Sequence, residues 1–241
     1  MASSVRFTSG TTLWFAERPD ARVIGVTGTK GKSTTSALIA HLARALGVRS
    51  ALAGNIGMPL LDLLGQEADL WVVELSSFQT GDAGPLDVGV ITNLYEEHLD
   101  WHGTRERYFA DKLKLADAAR RLVVNALQPD LLARTAAHAQ RTTFGDRAGW
   151  HVRDGAIRHA SRIVLPVAGI PLPGEHNALN VCAALAAIEG VGLDAIAAAG
   201  HVAGFKPLPH RLQALGERDG VTFINDSIST TPLATIEALR S

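Results

Sequence analysis

Cysteine is almost absent. The 241 residues hold one, Cys182, which excludes a disulfide framework and any multi-cysteine zinc site. Long apolar runs are missing too: no stretch approaches the roughly 20 residues that span a bilayer. Met1 to Gly10 carry one arginine and no apolar stretch, so the N-terminus does not read as a secretory signal. Neither charge dominates, with 23 Lys and Arg against 24 Asp and Glu and a formal net charge of −1. That balance gives no basic field of the kind that draws a chain onto nucleic acid. What is present is apolar material, 46% of the residues, enough for a sizeable core without a structural metal. The expectation is a soluble, cytoplasmic chain with one large domain, or one domain and a small appendage.

Short β-branched runs alternate with helical patterns, the order expected of a mostly parallel α/β sheet with crossover helices. Strands are expected over Arg22 to Thr27, Arg49 to Ala53, Leu70 to Leu75, Val88 to Leu94 and Arg121 to Asn125. Helices are expected from Ser33 to Leu46 and from Thr104 to Ala119. The runs are continuously apolar, which suits strands buried on both faces. Beyond Arg141 the pattern changes. Trp150 to Pro166 reads as a small antiparallel hairpin around Asp154-Gly155. Helices follow over Glu175 to Glu189 and Asp194 to Ala199, then a Gly- and Pro-rich linker from Val202 to Arg211. A second hairpin, Leu212 to Ile224, precedes a helix that starts at Pro232.

Thr27-Gly28-Thr29-Lys30-Gly31-Lys32-Ser33-Thr34 falls between an expected strand and an expected helix, the context that makes Gly-Lys-Ser a phosphate-binding loop. Glycines let backbone N–H groups close around phosphate oxygens, and the helix aims its positive end at them. Lys32 would reach the β- and γ-phosphates, and the Ser33 hydroxyl would ligate Mg²⁺. The strict pattern asks for glycine at position 26, where this chain has valine, so the loop is a compact variant whose glycine is Gly28.

Glu74 ends the third strand, and ligands of open α/β sheets gather at the carboxyl ends of strands. There it fits a Mg²⁺ ligand, or equally a helix cap or a surface charge. His98 follows the next strand, placed beside that of Glu74, and fits either a second metal or a structural role. Glu96, Glu97 and Asp100 fit a solvated loop. Lys112 and Lys114 look alike, as exposed lysines of the Thr104–Ala119 helix.

Together these segments resemble the Mur ligase family, the ATP-dependent enzymes that build the peptidoglycan stem peptide. The loop 27–34 resembles the family's nucleotide loop, with Lys30 where Asn is usual. Gly54-Asn55-Ile56-Gly57 and Glu74-Leu75-Ser76-Ser77-Phe78-Gln79 resemble the branch that adds glutamate to UDP-N-acetylmuramoyl-L-alanine. Asn93 with His98, Tyr-Phe-Ala-Asp-Lys (108–112), Gly174 to Asn177 with Asn180, Pro209-His210-Arg211 and Asn225-Asp226-Ser227 match further family segments. The resemblance implies that Gly28, Thr29, Lys30, Gly31, Lys32, Ser33 and Thr34 hold ATP with Asn177, Asn180, Arg211 and Asp226. It implies two Mg²⁺ ions, one on Ser33 and Glu74 and the other on His98 and a carbamylated Lys112. Asn55, Ser76 and Asn93 would contact the muramoyl-alanine substrate. The catalytic set is then Lys32, Glu74, His98 and Lys112, and the reaction runs through an acyl phosphate to an amide with glutamate.

The resemblance also implies a division of the chain. Residues 1–20 read as a remnant of a UDP-binding domain, 21–204 as the central ATP-binding domain, and 205–241 as a linker and the start of a C-terminal domain. On that reading the chain binds ATP and Mg²⁺ and needs its missing domains for ligation. Ile228, where the family often has lysine, and Lys30 mark an off-centre subgroup in which the glutamate is D or L. The alternatives are a non-catalytic nucleotide-binding module, or a Mur-type ligase for another amino acid or for folate.

Overall fold

The computed structural model describes residues 7–229 together with Thr235, Ile236 and Leu239. The start of the helix expected from Pro232 lies outside the described residues; further along it, Thr235, Ile236 and Leu239 are helical. Nine strands form one sheet in the order β2-β3-β1-β4-β5-β6-β7-β8-β9. They are β1 (Val23–Thr27), β2 (Ser50–Gly54), β3 (Leu70–Glu74), β4 (Leu86–Ile91), β5 (Ala119–Asn125), β6 (Arg141–Phe144), β7 (Trp150–Arg153), β8 (Ala156–His159) and β9 (Arg162–Pro166). β1 to β7 pair in parallel, and β7-β8-β9 are antiparallel. The hairpin expected around Asp154-Gly155 is therefore present, gains a third strand, and continues the main sheet instead of standing apart.

The helices are α1 (Gly10–Glu17), α2 (Lys32–Ala45), α3 (Leu99–His102), α4 (Arg105–Ala118), α5 (Pro129–Arg134), α6 (Glu175–Gly190) and α7 (Ala195–Ala199). Thr104 caps α4, its side chain accepting from the Arg107 N–H at 3.2 Å. A two-stranded antiparallel sheet, β10 (Gln213–Arg218) with β11 (Val221–Asn225), follows the linker.

Every residue of β1 and β3 is buried, as the unbroken apolar runs require of strands covered on both sides. Side-chain alternation splits them between two cores. Ile24, Val26 and Val72 pack with α2 and α6. Val23, Trp71 and Val73 pack with α1, Tyr108 and Phe109. Among the described residues no helix is long and apolar enough to cross a membrane.

The strand order corrects one expectation. β1 lies between β3 and β4, so the ends that carry Glu74 and lead to His98 flank β1 and are not neighbours. The chain changes direction across the sheet there, since β2 and β3 lie on one side of β1 and β4 and β5 on the other. Such a switch point opens a crevice at the carboxyl ends of the strands. The loop after β1 stands in that crevice.

Candidate functional site

The loop between β1 and α2 is shaped by two glycines. Gly28 sits at φ +143°, and a Cβ there would collide with Thr92 Oγ1. Gly31 sits at φ +80°, and a Cβ there would collide with Asn180 Oδ1. Neighbouring segments clamp the rest. Asn93 Oδ1 accepts from the N–H groups of Thr29 and Lys30 at 3.2 and 2.8 Å, and Asn93 Nδ2 donates to the Lys30 carbonyl at 3.0 Å. Thr92 Oγ1 donates to the same carbonyl at 2.6 Å. Thr29 Oγ1 donates to the Tyr95 carbonyl at 2.9 Å and lies 3.1 Å from the Tyr108 hydroxyl. The loop is thus held by hydrogen bonds from its protein neighbours, an arrangement that fits a phosphate cradle of backbone donors.

Cations ring this cradle. Lys32 Nζ donates to the Thr29 carbonyl at 3.0 Å, and Arg211 Nη2 donates to Ser33 Oγ at 2.9 Å. Burial lowers the pKa of the Lys32 ammonium, and the charges of Glu74 and Glu97 oppose that shift. Lys30 Nζ pairs with Glu97 at 2.8 Å.

Lys112 corrects the sequence expectation of an exposed lysine. It is 2% exposed, its Nζ donates to the Gly28 carbonyl at 2.8 Å, and it lies 4.9 Å from the centre of the Tyr108 ring. Burial first, and then the charge of Lys32, pull its pKa down to about 7. Lys114 remains on the surface, paired with Asp111 at 2.7 Å.

Glu74 is 1% exposed. Its Oε1 accepts from Asn55 Nδ2 at 3.0 Å, while Oε2 is buried without a partner. A carboxylate oxygen out of water and unpaired is costly, so this one fits a cation. His98 has φ +56° and ψ +37°, a left-handed conformation uncommon outside glycine, and caps the short helix α3. Its side chain is half exposed, with Nε2 3.8 Å from Glu97. Its ring lies 6.3 Å from that of Tyr108, so His98 and Lys112 share one aromatic neighbour.

Among the described residues no three His, Cys, Asp or Glu side chains gather into a metal site by themselves. A hydroxyl at Ser33, phosphate oxygens and a carbamate on Lys112 would be the additional oxygen donors that a hard cation takes.

The remaining expected residues divide. Asn180 reaches the loop, accepting from Thr35 Oγ1 at 3.4 Å and donating to Asn177 Oδ1 at 3.1 Å. Thr34 is buried in the first turn of α2. Ser76 Oγ donates to Gln79 Oε1 at 2.8 Å. Asp226 accepts from the Leu212 N–H, across the two-stranded sheet, at 3.0 Å and from the Ser229 hydroxyl. Asn93, expected to face substrate, spends its amide on the loop.

Glu97, Tyr108 and Thr92 were not singled out in the sequence. Glu97 is part of an acidic string that reads as solvated, and only the pairing of Lys30 across the crevice lifts it out. Tyr108 had a weak signal, lying in the segment that ends at Lys112.

Comparison with known proteins follows the same lines. Residues 26–188 match the family described as Mur ligase middle domain. The UDP-N-acetylmuramoyl-L-alanine–L-glutamate ligase of Xylella fastidiosa (strain 9a5c) is 50% identical over 99% of this chain and 54% of its own length. The enzyme of the same name from Xanthomonas euvesicatoria pv. vesicatoria is 49% identical over the same shares. The chain spans about half the length of the curated relatives it matches. Among solved structures, the MurF ligase of Thermotoga maritima in complex with ADP aligns with a TM-score of 0.72 at 20% identity, over 100% of this chain and 63% of that one.

Proposed function

The chain belongs to the Mur ligase family, whose middle domain it carries, and from that premise we propose that it is the ATP- and metal-binding unit of a ligase joining L-glutamate to UDP-N-acetylmuramoyl-L-alanine. The observation that carries the reading is the convergence of a hydrogen-bonded phosphate loop, the unpartnered oxygen of Glu74 and the buried Lys112 on one crevice. The relatives' names favour L- over D-glutamate and peptidoglycan over folate.

In this reading the amides of Gly28 to Thr34 and the Lys32 ammonium hold the triphosphate, with Arg211, Asn177, Asn180 and Asp226 completing the nucleotide site. Ser33 and Glu74 would hold one Mg²⁺, and His98 with a carbamylated Lys112 would hold the other. Magnesium, when bound, would supply neutralisation of the charge on the transferring phosphoryl group. Asn55 and Ser76 orient the substrate carboxylate, together with Asn93 through the loop. The carboxylate oxygen attacks the γ-phosphorus and ADP leaves, giving an acyl phosphate. The glutamate amine then attacks the acyl carbon, inorganic phosphate departs, and an amide results. The chain's own part is position and charge, the terms that dominate phosphoryl transfer.

The domain reading is adjusted accordingly. Residues 205–241 are proposed as the linker and start of the next unit, and α1 as part of the central one. The proposed compartment is the cytoplasm, where ATP is available.

Titration of the chain with Mg²⁺ and a non-hydrolysable ATP analogue tests the nucleotide site. Loss of the Lys32 charge-assisted contact in Lys32→Ala should weaken binding about 10- to 100-fold. Binding that survives this change unaltered would overturn the assignment. In the full-length protein, ADP release should require UDP-N-acetylmuramoyl-L-alanine and rise with L-glutamate over D-glutamate.

A further inference from the structure

Three segments that carry proposed metal and substrate residues are tied together by a buried relay that none of those roles uses. Ser77 follows Ser76 after β3, His102 ends α3 one turn beyond His98, and Asp111 precedes Lys112 on α4. Asp111 Oδ2 stands 2.8 Å from His102 Nδ1, and Ser77 Oγ stands 3.1 Å from His102 Nε2. His102 is 3% exposed and Ser77 6%. The Phe78 ring stacks on the imidazole, with centroids 5.2 Å apart and planes 20° from parallel. Thr80 Oγ1 adds a fourth link, donating to the Asp111 carbonyl at 2.6 Å.

The chemistry gives the relay a direction. A carboxylate oxygen accepts and does not donate, and the other oxygen of Asp111 takes a hydrogen bond from Lys114 Nζ at 2.7 Å. Asp111 therefore accepts, and the hydrogen of that bond sits on Nδ1. A ring that carries its hydrogen on Nδ1 presents a lone pair at Nε2, to which the Ser77 hydroxyl donates. The same three residue types activate nucleophiles elsewhere. Here the serine is too buried, with Phe78 over the ring, to receive a substrate carbonyl, so the relay holds and does not attack.

We infer that His102 is a positioning residue: through Ser77 and Asp111 it keeps the segments bearing Glu74 and Ser76, His98, and Lys112 in the register at which they bind divalent cations together. This rests on the proposed ligase reading, in which those residues hold the metals. Each partner sits one to four residues from a proposed ligand, so a slack relay lets the ligands drift independently. Groups that orient metal ligands from behind typically matter 10- to 100-fold in metal affinity.

Manganese, a paramagnetic substitute for magnesium, makes the test direct. Its binding is followed by electron paramagnetic resonance in the presence of bicarbonate and the non-hydrolysable ATP analogue. The weaker-bound ion should lose about 10- to 100-fold in affinity in Ser77→Ala and His102→Ala. Nucleotide affinity, measured by calorimetry, should stay within about twofold. Asp111→Asn, which still accepts from the ring N–H, should retain the ion, and Asp111→Ala should lose it. Should His102→Ala not fold, Ser77→Ala and the Asp111 pair decide. Unchanged manganese affinity in folded Ser77→Ala and Asp111→Ala would overturn the inference. Wild-type protein that takes up no manganese with nucleotide would instead overturn the ligase reading. The relay is then read without metal, from the imidazole ¹⁵N spectrum and from hydrogen exchange over residues 76–80. Protonation at Nδ1, with protection lost in Ser77→Ala, supports it; a hydrogen on Nε2 or unchanged protection overturns it.

Discussion

Lys112 and Lys114 lie two positions apart on α4, and the fold makes them different acids. Lys114 stands at the surface beside Asp111, whereas Lys112 is enclosed against Tyr108 and the Gly28 carbonyl. Desolvation disfavours the charged form of an amine, and the neighbouring Lys32 adds repulsion, so Lys112 titrates near 7. At neutral pH it offers about three orders of magnitude more free amine than an ordinary lysine, the form that combines with carbon dioxide to give a carbamate. The same shift has a consequence for stability. Below pH 7 folded and unfolded chains both hold the proton, and the cost of burying the charge is paid in full. Between pH 7 and the ordinary lysine value the unfolded chain holds more protons, so stability rises with pH. In carbon-dioxide-free buffer, wild type should gain about 2–3 kcal/mol over Lys112→Met between pH 6 and pH 9 in urea unfolding. Parallel pH curves for the two proteins would refute the assignment. Periodicity could not have separated these lysines, because burial of Lys112 depends on the long-range approach of α4 to the loop after β1. Only its place in the Tyr-Phe-Ala-Asp-Lys segment marked it.

At the scale of elements, the strand–loop–helix that forms the cradle was legible, and its support was not. An apolar run, two glycines at fixed spacing and an N-terminal Ser-Thr-Thr are local signals. The clamp of Thr92 and Asn93 on the Lys30 carbonyl comes from β4, which pairs with β1 only once strand order is set. Order depends on which side of β1 each crossover takes, and a single apolar run does not encode that. The missed elements α1, α3, α5 and β6 are short, at 8, 4, 6 and 4 residues, too short for a period to declare itself. Proline at the first turn of α5 was the one local clue. The clamp yields a prediction. A methyl group in Gly28→Ala meets Thr92 Oγ1 on a backbone at φ +143°, so the loop must shift. Nucleotide affinity should fall more than about tenfold, and stability by about 1–3 kcal/mol. Combining it with Thr92→Ala removes the contact with Oγ1 and leaves the backbone strain and the tighter-than-usual approaches to Cβ of residue 92 and to the Asn93 N–H. The double variant should then be less damaged than the two single effects summed, by about 0.5 kcal/mol or more. Strict additivity would show that the collision is not what deforms the loop.

Across the whole molecule, the sheet divides the interior into two cores that meet only through the strands, and the site touches them unequally. The α2–α6 side carries the loop and Asn180. The other core is closed by α1, whose Trp14 is fully buried, edge-on to Phe15 at 5.1 Å and to Trp71 at 4.9 Å. Helix α1 thus packs into the core of the sheet, within the residues 1–20 whose sequence reads as a remnant or linker of a UDP-binding domain. Its Gly-Thr-Thr start, capped by Ser9, is weak helical sequence that gains its order from the tryptophan it docks. Replacing Trp14 by alanine leaves a cavity against Trp71 and should cost about 3–5 kcal/mol in urea unfolding. The loop meets that core at Tyr108, on α4 rather than α1, so Mg²⁺ with the ATP analogue should raise the stability of Trp14→Ala and of wild type by the same increment at equal ligand excess. A variant that kept full stability would mean that α1 is only laid against the sheet. One that lost stability and also the ligand-induced increment would mean that the two cores transmit strain to the loop, and that the site depends on the whole sheet rather than on its switch point.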